Sequence, residues 1–303
     1  NKFADILKPE IQKKLQQQNV IFIPNRSFEA YLNFDYRKIE KEFNVALFGN
    51  KYLLKIEERG SIPNQYTLLK QADIRTPLHF ADSADIDRLC LVKINEKLRP
   101  FERAFFLVED SQDFAQKSQK LIESGKISES ALKSAVIEEF ILGAQVNFNF
   151  FYSRLSKRLE LLGTDTRRQT NLDGLLRLPG NLHESVLGYT PLTYEEAGHA
   201  AVTVLESLLE KAFELGEAFV AACQKLFPPG IIGPFALQSI ITSGPPKKDI
   251  VVIDVSPRMP GSPGISATPY SGYLFGKSIS VGRRVAMEIK TAIKKNQLNK
   301  IVS

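Results

Sequence analysis

A lysine at position 93, adjacent carboxylates at Glu138 and Glu139, and an amide and a carboxylate at Gln238 and Asp254 are the residues whose types and spacing could do chemistry. Lys93 lies in the apolar run Leu89 to Ile94, which reads as a strand, and Glu138 follows about 45 residues later in a second such run. Gln238 and Asp254, sixteen residues apart, fall on strand-like segments at 233–242 and 249–255. The connection Ser243 to Lys248 is too short for a crossover helix, so the pair is predicted antiparallel. Facing positions in such a pair can hold a divalent cation with oxygen ligands. A strand lysine near them would bind a nucleotide phosphate as a point charge. The residues alone leave another reading open, with Lys93 a solvated strand residue and Asp254 a turn-side carboxylate.

Other chemistries lack their signatures. The sequence has no Walker A loop, no GxGxxG after a strand, no CxxC and no HExxH, and His79, His183 and His199 are too scattered to suggest a metal site. Cys90 and Cys223, the two cysteines, sit in apolar surroundings and read as core filler in a reducing cytosol. The start is Asn rather than Met and shows no signal peptide, so it reads as truncated or processed.

The elements that must position these residues alternate between strand and helix, an α/β pattern. Residues 3–18 read as a basic, glutamine-rich helix, and 19–24 as a buried parallel strand ending at Pro24. A helix follows with Ser27 as its N-cap, then a short strand at 45–48 and helical text from 51 to 72. Strands are predicted at 89–94, 104–108 and 135–143, with helices at 111–124 and 129–133 between the last two. Residues 146–152 and 159–164 pair as antiparallel strands, 180–198 is a long surface loop, 202–226 is the longest helix, and 280–295 a terminal one.

Composition sets the class. Of 303 residues, 43% are hydrophobic and 24% charged, which excludes disordered, collagen-like and disulfide-scaffold chains. No apolar run is long enough to span a bilayer. Forty basic and 34 acidic residues give +6 without a basic stripe interleaved with aromatics, so neither a membrane nor a nucleic acid is an expected partner. Small anionic substrates and a cytoplasmic location are.

Several strings, taken in order, resemble one family: Ile137-Glu-Glu-Phe-Ile-Leu-Gly143, Phe150-Phe-Tyr-Ser153, Leu159-Glu-Leu-Leu-Gly-Thr-Asp165, Thr170-Asn-Leu-Asp-Gly174, Pro229 through Gln238, and Ser280 through Lys290. Ile23-Pro-Asn-Arg-Ser-Phe28, Phe48-Gly-Asn-Lys51 and Asp85 through Lys93 extend the likeness. Together they are similar to the archaeal 5-formaminoimidazole-4-carboxamide ribonucleotide synthetases, a branch of the ATP-grasp ligases. The resemblance implies an ATP-grasp fold with a truncated Rossmann-like N-terminal portion at 1–50, subdomain A at 51–145, subdomain B at 146–303, and homo-oligomers. It implies that ATP, Mg2+ (or Mn2+) and formate formylate 5-aminoimidazole-4-carboxamide ribonucleotide through formyl phosphate. Lys93 would bind the ATP phosphates, Glu138 and Glu139 would lie at the adenine-side hinge, Gln238 and Asp254 would hold the metal, and Ser27 would fall in the nucleotide-substrate site.

The sequence also departs from the family pattern. The glycine-rich loop with lysine is replaced by Asn95-Glu-Lys-Leu-Arg-Pro-Phe-Glu-Arg103, leaving Lys97, Arg99 or Arg103 to reach phosphate by side chain. Asp254 stands for glutamate, Gly264 for asparagine, and His199 for an asparagine that reaches the substrate. The family's opening strand, with its substrate-contacting histidine, has no counterpart. These departures keep two further readings in play: a ligase for another acid and amine, and a non-catalytic paralogue that binds nucleotide or assembles with an active homologue.

Overall fold

The computed structural model describes residues 3–95, 105–190, 195–244, 247–261 and 266–303. Helices α1 (Pro9–Gln17), α2 (Arg26–Tyr31), α3 (Tyr36–Glu42) and α4 (Gln65–Gln71) come first. Strands β1 (His79–Phe80), β2 (Cys90–Lys93) and β3 (Phe105–Val108) precede α5 (Ser111–Glu123) and α6 (Glu129–Lys133). Next come β4 (Val136–Glu139), β5 (Ala144–Ser153), β6 (Arg158–Gln169), α7 (Thr170–Leu175), α8 (His183–Tyr189) and β7 (Glu196–Ala201). The chain closes with α9 (Leu209–Leu226), β8 (Gly233–Thr242), β9 (Asp249–Ser256), α10 (Tyr270–Phe275) and α11 (Val281–Lys294).

Two compact units result. The first gathers 1–76, 144–165 and 201–303, and the second 77–143 and 166–200. In the first, β6, β5, β8 and β9 are consecutive antiparallel neighbours. One face of this sheet packs on α9 and α4 through Phe148, Phe150, Phe219, Phe235 and Leu237, all nearly inaccessible. Phe235 stacks between Phe150 and Phe219, with ring centroids 5.4 and 5.6 Å apart. The apolar stripe of α9 and the alternation of β5 and β8 produce this core directly. In the second unit, a four-stranded sheet runs β1-β4-β2-β3 over Cys90, Val92, Val108 and Ile137. There too, β7 lies beside the distal part of β6.

The pairing of β5 with β6 and of β8 with β9, the helix at 111–123 and the terminal helix agree with the sequence reading. Other elements differ for local reasons. Residues 19–24 make a single parallel bridge, Phe22 to Leu47, because Pro24 has no N–H to extend the ladder. The helical text at 51–72 divides into a 3-10 segment, Lys51–Glu57, and α4, separated by Gly60 and Pro63. Asn64 restarts the helix as a capping box with Thr67. The cap of α2 is Asn25, whose side chain accepts from the Phe28 amide, not Ser27. Helix α9 begins at Leu209 rather than 202, since the Val202 amide bonds the Thr164 carbonyl of β6. The surface loop at 180–198 contains α8 and the start of β7.

Both cysteines are buried, as expected, and burial pushes the Cys223 thiol well up. No helix among the described residues is long and apolar enough to cross a membrane. Phe235 is the centre of the aromatic stack, so Phe235→Ala is expected to cost about 3–5 kcal/mol of unfolding free energy in urea titration. A loss under about 1 kcal/mol would show that the stack is not the core of the first unit.

Candidate active site

In the first unit, antiparallel register decides which polar groups meet. Gln238 of β8 lies directly opposite Asp254 of β9, and on its other side opposite Asn147 of β5. Asn147 is in turn opposite Asp165 of β6. Opposed residues share a face, so Asp165, Asn147, Gln238 and Asp254 form one polar row across four strands. Ladder irregularities between Asn149 and Phe150 and between Gln238 and Ser239 flank the row. Bulges of this kind re-aim side chains beside functional sites. The Asp165 carboxylate accepts from the amides of Asn147 and Asn149 at 2.9 and 2.6 Å. The amide oxygens of both asparagines are buried and accept no hydrogen bond among the described residues.

A charge network runs from this row into α2. Gln238 Nε2 reaches Ser256 Oγ at 3.4 Å, and Ser256 Oγ donates to Glu57 at 3.3 Å. Arg258 forks onto both oxygens of Glu57 at 2.8 and 3.1 Å. Arg26 bonds Glu29 Oε2 at 2.9 Å, and the Tyr36 hydroxyl donates to the same oxygen at 3.0 Å. Arg26 and Glu29 meet because they stand three apart on α2, whose start Asn25 fixes. Arg59 places its guanidinium 3.7 Å from Asp254 Oδ1. Gln65 Oε1 accepts the Val255 amide at 2.7 Å and so anchors β9 beside Asp254.

In the second unit, Lys93 and Glu138 form an ion pair in which both side chains are almost fully buried. They lie diagonally on one sheet face, because Leu91 opposes Glu138 and Lys93 opposes Val136. His79, opposite Glu138, approaches the second carboxylate oxygen to 3.9 Å. Burial lowers the His79 pKa, and the Lys93 charge lowers it further against the pull of Glu138. Glu139 accepts the Leu78 amide through its side chain. His199 is bound to Glu196 at 2.8 Å, and Glu196 also pairs with Arg167 at 2.9 Å.

The structure thus brings Gln238 to Asp254 and Lys93 to Glu138, each pair within its own unit. Ser27 is exposed on α2, one residue from the network. Arg103, Lys97, Arg99 and Gly264 lie outside the described residues. Sequence reasoning missed Arg59, Asn147, Asn149, Asp165 and the Glu29–Arg26–Glu57–Arg258 cluster. Of these, only the Arg26 and Glu29 spacing was a readable signal.

The donor set fits a hard cation. Asp254 and Gln238 offer a carboxylate and an amide oxygen, and no group of three His, Cys, Asp or Glu side chains among the described residues forms a cage. Magnesium is held in this way, by one or two protein oxygens with substrate phosphates and water completing the shell.

Two outcomes follow from these charges. Removing one partner of a buried pair strands the other, so Lys93→Met is expected to lose about 3–5 kcal/mol in urea unfolding. Lys93→Met combined with Glu138→Leu should recover most of that loss; a single variant as stable as the parent would refute the pairing. Burial first, then the Glu57 charge, pushes the Glu29 carboxyl from an ordinary 4.5 up to about 8, against Arg258 and Arg26. The neutral form therefore stabilises the fold fully below pH 4.5, and this contribution is lost as pH rises through 8. Glu29→Gln should flatten the fall of unfolding free energy across that window, roughly 1.4 kcal/mol per pH unit at most. Equal slopes in both proteins would contradict it.

Comparison with known proteins shows the family and the fold. A family model described as a domain of unknown function (DUF1297) matches residues 113–303, and a second, described as a protein of unknown function (DUF1246), matches 1–80. A 5-formaminoimidazole-4-carboxamide-1-(beta)-D-ribofuranosyl 5'-monophosphate synthetase of Methanopyrus kandleri is 36% identical over 302 residues, covering 100% of this chain and 81% of the relative. Among solved structures, an IMP biosynthesis protein PurP from Thermococcus kodakaraensis superposes with a TM-score of 0.70 at 30% identity, over 94% of this chain and 80% of the other. The ADP complex of an N5-carboxyaminoimidazole ribonucleotide synthetase superposes with a TM-score of 0.57 at 11% identity, over 84% and 58% of the two chains, a likeness of fold alone. The chain therefore belongs to the 5-formaminoimidazole-4-carboxamide ribonucleotide synthetase family and has the ATP-grasp fold of C–N bond-forming ligases.

Proposed function

We propose that this protein joins formate to 5-aminoimidazole-4-carboxamide ribonucleotide at the expense of ATP, in the synthesis of IMP. The observation that carries the reading is Gln238 opposite Asp254 on adjoining strands of a chain aligned over its whole length with named synthetases. A formate oxygen attacks the γ-phosphorus of ATP, giving formyl phosphate and ADP. The 5-amino nitrogen then attacks the formyl carbon, phosphate leaves with the C–O bond electrons, and the nitrogen loses a proton.

No protein nucleophile is required, so the side chains act by position and charge. Lys93 holds phosphate oxygens, with Arg103 as a second cation and Glu138 and Glu139 at the adenine-side hinge. Asp254 and Gln238 would hold Mg2+ or Mn2+, which would supply positive charge against the phosphates. Ser27 and His199 contact the nucleotide acceptor. The division into 1–50, 51–145 and 146–303, a homo-oligomeric assembly and a cytoplasmic location complete the proposal.

The replacement of the glycine-rich loop by Asn95 to Arg103 supports a second reading, a divergent or non-catalytic paralogue that binds nucleotide or uses another acid and amine. Incubation with ATP, Mg2+, formate and the aminoimidazole carboxamide ribonucleotide is expected to release ADP and the formylated nucleotide in equal amounts. Asp254→Asn should lower kcat/KM about a hundredfold or more. Tight binding of ATP with Mg2+ but no turnover would favour the second reading; absence of both would reject each.

A further inference from the structure

We propose that Arg59 makes cation binding at Asp254 conditional on a phosphate-bearing ligand, so that metal and polyphosphate bind as one unit. This rests on the reading of Asp254 and Gln238 as cation ligands. The Arg59 side chain is only 4% exposed, whereas Asp254 is 30% exposed, so the guanidinium is fixed behind a carboxylate that opens outward. The arginine is anchored at both ends. Its Nε donates to the Tyr66 hydroxyl at 3.3 Å, and its backbone carbonyl accepts from Asn64 Nδ2 at 2.8 Å. Asn64 is itself the cap of α4, which ties the position to a helix. Arg26 adds a second positive charge within electrostatic reach of Asp254.

A divalent cation bound about 2.1 Å from the carboxylate oxygen lies within roughly 6 Å of the Arg59 guanidinium. Like charges at that range repel, and even full screening by water makes the bare cation bind about tenfold more weakly. Phosphate oxygens reverse the sign. An anion carrying several charges, held on the outward side of the cation, offsets by its field both the cation and the guanidinium behind the carboxylate. A monovalent anion cannot offset both. The site therefore selects a cation already paired with a polyphosphate, which keeps it from filling with metal alone.

Mn2+ is the probe, titrated into the full chain by electron paramagnetic resonance with and without ATP. Arg59→Gln is expected to bind free Mn2+ about tenfold more tightly than the parent and Mn2+ with ATP more weakly. Arg59→Lys keeps the charge and should exclude free Mn2+ as the parent does, which also controls for folding. If Arg59→Gln binds free Mn2+ no tighter than the parent, the proposal is overturned. Asp254→Asn separates the two readings. If it leaves Mn2+ with ATP bound as before, the cation-ligand reading fails and takes this one with it. If it abolishes that binding while Arg59→Gln matches the parent, only the role of Arg59 fails.

Discussion

The register of β8 between β5 and β9 is the constraint on which the first unit depends. Side chains alternate along a strand with period two, so one face of this sheet carries the aromatic core and the other carries the row from Asp165 to Asp254. A slip of one residue would drive Gln238 into the apolar layer beneath α9 and expose Phe235. The Phe150–Phe235–Phe219 stack makes that slip costly, and so the hydrophobic core sets the position of the polar row. Stability and site geometry are two results of one pattern.

Burial on the polar side is managed by pairing. Arg258 forks onto Glu57, while Glu29, kept largely neutral by burial, accepts from Arg26 and from the Tyr36 hydroxyl. The cluster spans α2, the 3-10 segment at 51–57 and the end of β9, three places distant in sequence. Its contribution to net stability is small beside that of the aromatic stack, because desolvation offsets much of the attraction. Each arginine lies near both carboxylates, Arg26 3.4 Å from Glu57 and Arg258 3.5 Å from Glu29, so the four side chains form one interlocked cluster. Ser256, between Glu57 and Gln238, links this arrangement to β8.

Much of this was legible in the sequence, and the rest was not for identifiable reasons. Strand pairing at 146–164 and 233–255 showed itself through alternation and a short connection, and with it the opposition of Gln238 and Asp254. Helix boundaries failed where a proline, a glycine or a sheet bond competed with apolar spacing, as at 51–72 and 202–208. The partners of Lys93 and Asp254 were invisible for a different reason. Glu138 reaches Lys93 across a ladder, and Arg59 reaches Asp254 across 195 positions of chain, and spacing carries no record of such contacts. Adjacency to a motif is readable; a long-range countercharge is not.

The Lys93–Glu138 pair has a consequence for the kind of anion that can be held there. A lysine already neutralised by a buried carboxylate gains nothing by meeting a second, equally charged group, because one attraction is traded for another. Capture of phosphate at Lys93, the role proposed for it, would be an exchange of partners. Its driving force is the difference between two interactions, so singly charged anions such as chloride or acetate are poor competitors. A phosphate chain, with more charge and more acceptor atoms than a carboxylate, tips the exchange. The second oxygen of Glu138 has His79 Nε2 3.9 Å away and accepts no hydrogen bond among the described residues. Under that proposal a pair that is otherwise a buried salt bridge would discriminate by valence.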